Sequence, residues 1–141
     1  MQPQGIGEEE TKMIEVAEGL FGIKVAQSKR LGGLGGDTNM LIDTEDEKRY
    51  VLKVSKESVQ IGIMNEQEEL LKYMSENCNG VLFPISSPDL NGELIPKAKV
   101  GEETSFYFRL MKFIAGSPIN SVEKYSKEYL RHIGNITGRM T

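Results

Sequence analysis

Hydrophobic positions along the chain switch between helical and strand spacing. In residues 8–20, EEETKMIEVAEGL, Met13, Val16, Ala17 and Leu20 recur at helical intervals. The acids of the first turn sit where a helix dipole favours them, and Gly19 and Gly22 mark the end. IKVAQSKRL, NMLID and RYVLKVS then read as three strands, joined by the glycine run GGLGGDT and the acidic turn TEDEK in a meander. Residues 61–77, IGIMNEQEELLKYMSEN, return to helical period. Ile63, Glu66 or Gln67, Leu70, Leu71 and Met74 are expected on or near one face. VLFPISSPDL, interrupted by Pro84 and Pro88, is expected to be mostly loop with a short extended piece. Asn91-Gly92 is the strongest hairpin signal, Gly101 marks another turn, and ELIPKAKV and SFYFRLMKFI supply two more strands. The stretch 115–118 breaks the pattern. Val122, Tyr125, Tyr129 or Leu130, Ile133 and Met140 then space out a last helix, still periodic at Thr141.

The element order predicts an α+β fold: an antiparallel sheet of about five strands, an N-terminal helix, a helix inserted after the third strand, and a C-terminal helix. That last helix carries no stop signal, so a chain cut within a larger protein is expected.

A length of 141 residues suits one domain with a single core, and 38% hydrophobic with 27% charged residues is ordinary for a soluble protein. No apolar run is long enough for a transmembrane helix, and MQPQGIGEEE does not read as a secretory signal or transit peptide, which predicts a cytoplasmic location and no membrane partner. A net charge of -4 with scattered basic residues argues against a nucleic-acid partner. The single cysteine, Cys78, cannot form an internal disulfide, and with His132 it is too little for a structural zinc site.

Candidate chemistry gathers around "RYVLKVSKES". Burying an ammonium ion among apolar residues is costly, so Lys53 must reach either water or an anion. Strand alternation puts Val51 and Lys53 on one face and Leu52 and Val54 on the other. If the latter pair faces the core, Lys53 faces outward, beneath the hairpin that carries Gly33, Gly35 and Gly36. Glycines there allow close backbone approach, and their N–H groups can face phosphate oxygens. Of Glu66, Glu68 and Glu69 on the following helix, Glu66 lies one turn before Leu70 and is the acid expected to steady the lysine. No Ser/His/Asp set surrounds His132, and Asp43 and Asp46 occupy a charged hairpin. No catalytic residue and no metal-binding residue is expected in this chain.

The segments LFGIKVAQSKRLGG, GGDTNMLI, RYVLKVS, NEQEELLKYM, YFRLMKFIAGSPI and YLRHIGNITGRM together resemble the N-terminal lobe of aminoglycoside-phosphotransferase-like small-molecule kinases. Within that family they look most like the branch that phosphorylates hydroxylysine. The resemblance implies a protein-kinase-like nucleotide-binding lobe over residues 14–116. Residues 1–13 would then be a flexible or helical N-terminus, and 117–141 the start of a C-terminal lobe or a linker helix. It implies that Lys53 binds the α- and β-phosphates of GTP or ATP, with GTP the donor in the hydroxylysine branch. Asp37, Thr38 and Asn39 would follow the phosphate-covering hairpin, Val51 would roof the base, and Met111, Lys112 and Phe113 would line the hinge. Aligning Gln67 with the family's glutamine places Asn65 at the position of the pairing acid, and Glu66 would serve after a small helix shift. The acceptor would be a small molecule, 5-hydroxy-L-lysine; the alternatives are an aminoglycoside, choline or homoserine acceptor, or a non-catalytic nucleotide-binding or regulatory module. The family's H-G-D loop and acidic metal site lie beyond residue 141. Mg2+ is therefore expected only with that C-terminal lobe as partner, and the chain alone is expected to be inactive.

Overall fold

The structure, a computed structural model, describes residues 7–31, 37–57, 61–78, 82–102, 104–114 and 131. The chain forms α1 (Glu8–Phe21), β1 (Val25–Leu31), β2 (Thr38–Thr44), β3 (Arg49–Lys56), α2 (Ile61–Asn77), β4 (Ser86–Ser87), β5 (Lys97–Val100) and β6 (Thr104–Lys112). All strand pairings are antiparallel, in the order β1-β2-β3-β6-β4, with β5 also paired to β6. The sheet thus has six strands where about five were expected, the addition being the two-residue β4.

Helix α1 begins where its N-terminal amides find acceptors and ends at a residue only glycine suits. The Gly7 N–H donates to Glu10 Oε2 at 3.2 Å, and the Thr11 hydroxyl donates to the Gly7 carbonyl at 2.9 Å. The helix runs one residue beyond the stretch the sequence marks out, and Gly22, not Gly19, closes it. At φ 68° its N–H donates to the Glu18 carbonyl at 3.0 Å, and a Cβ there would meet Leu90 Cδ2 at 2.9 Å.

One face of the sheet is the core. Met13, Ile14, Ala17 and Phe21 of α1 pack against Met40, Ile42, Leu52, Val54, Val100, Phe106, Phe108 and Leu110. Strands β2 and β3 bury alternate residues on this side, as a pleated strand covered on one face must. Leu52 and Val54 therefore do face the core, and the helix that covers them is α1. The expected domain start at residue 14 falls inside α1, whose Met13 is already buried.

The Asn91-Gly92 turn closes as a tight hairpin end, with the Asp89 N–H donating to the Glu93 carbonyl at 2.8 Å, but no strand ladder continues from it. Asp89 is buried and its carboxylate accepts the N–H groups of Asn91 and Glu93 at 2.9 and 2.8 Å, while Gly92 N–H donates to the Asp89 carbonyl. The side chain and backbone of Asp89 together close the turn, and β4 and β5 each bond to β6 rather than to each other. Gly101, at φ 78°, turns β5 directly into β6 as expected. The expected C-terminal helix lies outside the described residues apart from Arg131, which is helical.

Candidate functional site

The sheet face opposite α1 is half-buried and chemically ordered in rows, because directly paired residues of an antiparallel sheet share a face. Asp43 is paired with Arg49, next to Phe113. Leu41, Val51 and Met111 are in register across β2, β3 and β6, with Ser86 of β4 beyond them. Asn39, Lys53 and Arg109 form the third row. An apolar strip therefore lies between a charged end row and a row with two cations. The expectation that Lys53 and Val51 share the face away from Leu52 and Val54 holds.

The first row is tied by charge. Arg49 Nε donates to Asp43 Oδ1 at 2.6 Å and Nη2 to Oδ2 at 3.3 Å, a two-point contact that suits the planar guanidinium. The hydrogen bond from Arg49 lowers the Asp43 pKa below its ordinary value and raises that of Arg49. The guanidinium also lies 5.4 Å from the centre of the Phe113 ring. Beside this row a groove of about 630 Å³ opens among Arg49, Ile85, Ser86, Lys112 and Phe113. The Lys112 N–H donates to the Ile85 carbonyl at 2.9 Å, so this amide is already used.

Helix α2 covers the third row with polar groups. Arg109, 4% exposed, donates from Nη1 to Gln67 Oε1 at 3.2 Å and lies 3.6 Å from Glu68 Oε1. Glu68, 6% exposed, also accepts the Ser86 hydroxyl at 2.7 Å. Among the described residues, the buried Arg109 Nε has no hydrogen-bond partner. Lys53 pairs with Asp37, its Nζ 3.7 Å from Oδ2.

This arrangement corrects the choice of acid. The inward side of α2 carries Met64, Glu68 and the half-buried Leu71 and Met74, while Ile63, Glu66 and Leu70 are exposed. Leu71 and Met74 face inward as the spacing suggests, but the inward side is displaced toward Met64 and Glu68 and leaves Ile63 and Leu70 outside. Glu66 thus points to solvent, and the inward Glu68 is engaged by Arg109 rather than by Lys53. The sequence does not single out Arg109 and Ser86, and it offers Gln67 and Glu68 without choosing them. Two signals could have found them: Arg109 shares strand parity with Met111, and Glu68 lies four residues after Met64 and three before Leu71.

Asp37, Asn39, Val51, Lys53, Met111 and Phe113 are brought to this one face or its margin. Gly33, Gly35 and Gly36 lie outside the described residues. Among the described residues there is no group of three or more His, Cys, Asp or Glu that could hold a metal ion. Among them, too, no helix is long and apolar enough to cross a membrane.

A twisted antiparallel sheet with α1 on one face and an inserted helix on the other is the α+β fold of the N-terminal lobe of kinase-like phosphotransferases. Three solved structures carry that likeness. An amicoumacin kinase in complex with AMP-PNP, Ca2+ and Ami matches 93% of this chain with a TM-score of 0.69 and 17% identity. A microcompartment-associated aminopropanol kinase matches 92% with a TM-score of 0.67 and 14% identity. A spectinomycin phosphotransferase in complex with ADP and spectinomycin matches 96% with a TM-score of 0.62 and 16% identity. The chain spans only 38 to 39% of the length of these proteins. No family model and no curated protein matches the sequence.

Proposed function

We propose that this chain is the nucleotide-binding lobe of a small-molecule kinase that transfers the γ-phosphoryl group of ATP or GTP to a hydroxyl group. The observation that carries the reading is the adjacency of two rows on one open sheet face. The apolar Leu41–Val51–Met111 strip suits a base, and the Asn39–Lys53–Arg109 row beside it offers Lys53 to the phosphates. An ammonium group binds phosphate as a point charge, and here it is 34% exposed and therefore reachable. Structural likeness to proteins solved with AMP-PNP and ADP supports the same assignment. Val51 would roof the base, with Met111 and Phe113 at the hinge. The glycines 33, 35 and 36 would cover the phosphates, with Asp37 and Asn39 after them.

The finer reading takes GTP as the donor and 5-hydroxy-L-lysine as the acceptor, with the reaction in the cytoplasm. Transfer also needs a positioned base and Mg2+. Both would come from a C-terminal lobe such as the remaining length of the structural neighbours provides, so the 141-residue chain by itself would bind nucleotide without turning it over. A second reading keeps the fold and changes the acceptor to another amino alcohol or an aminoglycoside. The aminopropanol and spectinomycin kinases among the structural neighbours favour it.

Calorimetric titration with ATP and GTP tests the common core of both readings. Weak binding is expected, and Lys53→Ala should abolish it. An unaltered dissociation constant in that variant refutes the assignment.

A further inference from the structure

Lys53 and Arg109 stand directly opposite each other on neighbouring strands, two cations on one face. Like charges so placed repel unless each has a counter-ion. Arg109 has Glu68, which Ser86 also holds in place. The inward acid of α2 is therefore committed, and the counter-charge of Lys53 comes from Asp37, the residue directly after the glycine run. The two side chains are 34% and 24% exposed, and their 3.7 Å separation is that of an ion pair rather than a hydrogen bond. This contact is loose enough to open.

A carboxylate oxygen and a phosphate oxygen are alternative anionic partners for the same ammonium group. We propose that Asp37 is an intramolecular competitor for the phosphate position at Lys53. Resting on the nucleotide reading above, the idea assigns Asp37 a role opposite to that of an ordinary phosphate-loop residue. It keeps the lysine oriented while the site is empty and opposes the incoming phosphates. Binding then breaks one ion pair to make another and brings like charges close, so the net gain from Lys53 is reduced. The Arg109–Glu68 contact makes this possible, because it removes the α2 acid from competition and leaves Lys53 to the loop.

The test uses the whole 141-residue chain, titrated with metal-free ATP and GTP in the presence of a chelator, so that no cation can bridge Asp37 to phosphate. Asp37→Asn and Asp37→Ser should each bind roughly three- to fivefold more tightly than wild type, the size expected from losing a partly exposed ion pair. Two replacements guard against a local folding fault in one of them, and circular dichroism melting identifies such a fault. Unchanged or weaker binding in both folded variants overturns the proposal. If that result accompanies loss of binding in Lys53→Ala, the nucleotide reading stands and only the role of Asp37 falls. Binding by Lys53→Ala equal to wild type, or no binding by any of these proteins, defeats the nucleotide reading itself.

Discussion

The two faces of the sheet are held by different physics. Against α1, apolar side chains close a dry layer: Met40, Leu52 and Phe108 are fully buried, and each such side chain contributes about 1.5–3 kcal/mol. Against α2, the contact is a buried arginine, a buried glutamate, a glutamine and a serine. The outward side of α2 leaves Ile63, Leu70 and Tyr73 51 to 64% exposed. One helix is fixed by burial and insensitive to direction. The other is fixed by geometry, since a charged pair out of water is favourable only when its partners are aligned. The face that tolerates no ligand thus provides stability, and the face that bears Lys53 is left half-open and polar.

The sharpest way to break this contrast is to cut into each layer. Phe108→Ala should lower stability by about 3–5 kcal/mol in denaturant unfolding, because it opens a cavity at the centre of the α1 layer. A loss below 1 kcal/mol would mean that the layer is not the core. On the other face, Glu68→Ala strands a buried guanidinium and should cost about 3 kcal/mol. The double replacement Glu68→Leu with Arg109→Met removes both charges and should restore most of that loss. If the two single losses simply add, Arg109 and Glu68 are not coupled, and α2 is held by something else.

These expectations also show where the sequence was legible. The period-two pattern in NMLID and RYVLKVS identified both strands and the face of Lys53, because burial on one side enforces alternation. The helix over residues 61–77 was readable in extent but not in rotation. Its apolar residues form two stripes, one through Met64 and Leu71 and one through Ile63 and Leu70, and spacing alone cannot choose between them. The choice is made by Arg109, far along the chain, whose buried charge needs Glu68. A partner distant in sequence leaves no local trace. The pairing of Asp37, just before β2, with Lys53 of β3 leaves no mark in the local pattern. The Asn91-Gly92 signal gives the turn and its closing backbone bonds, and what it does not give is a strand pair beyond them, since β4 and β5 both pair with β6.

A smaller effect sharpens the contrast further. Lys53→Ala should change stability by less than about 1 kcal/mol, since its ion pair is partly exposed. It should nonetheless remove nucleotide binding. A residue that matters for ligand and little for folding is what the half-open face predicts. A large loss of stability would make Lys53 a structural group and would blur the distinction between the faces.

The smallest effect belongs to the charged end row. Arg49 lowers the pKa of Asp43 in the folded protein below its ordinary value of about 3.8. The Asp43 contribution to stability is therefore fully present above that value and is lost as pH falls through the depressed folded pKa. The pair is solvent-exposed on one side and screened by salt, so its effect should be slight. Unfolding midpoints measured from pH 6 down to pH 2 should decline a little less steeply for Asp43→Asn than for wild type, and added salt should reduce the difference. Asp46, held low by the Thr44 hydroxyl, acts in the same direction and will persist in the variant. Lys97 behaves oppositely. Its contact with Glu57 raises its pKa, so that contribution is complete below the unfolded value and fades only as pH rises through the folded one. Lys97→Met should consequently alter the alkaline limb. If Asp43→Asn steepens the acid limb instead, the Asp43–Arg49 contact does not persist in solution, and the end row is not the fixed margin of the Lys53 face.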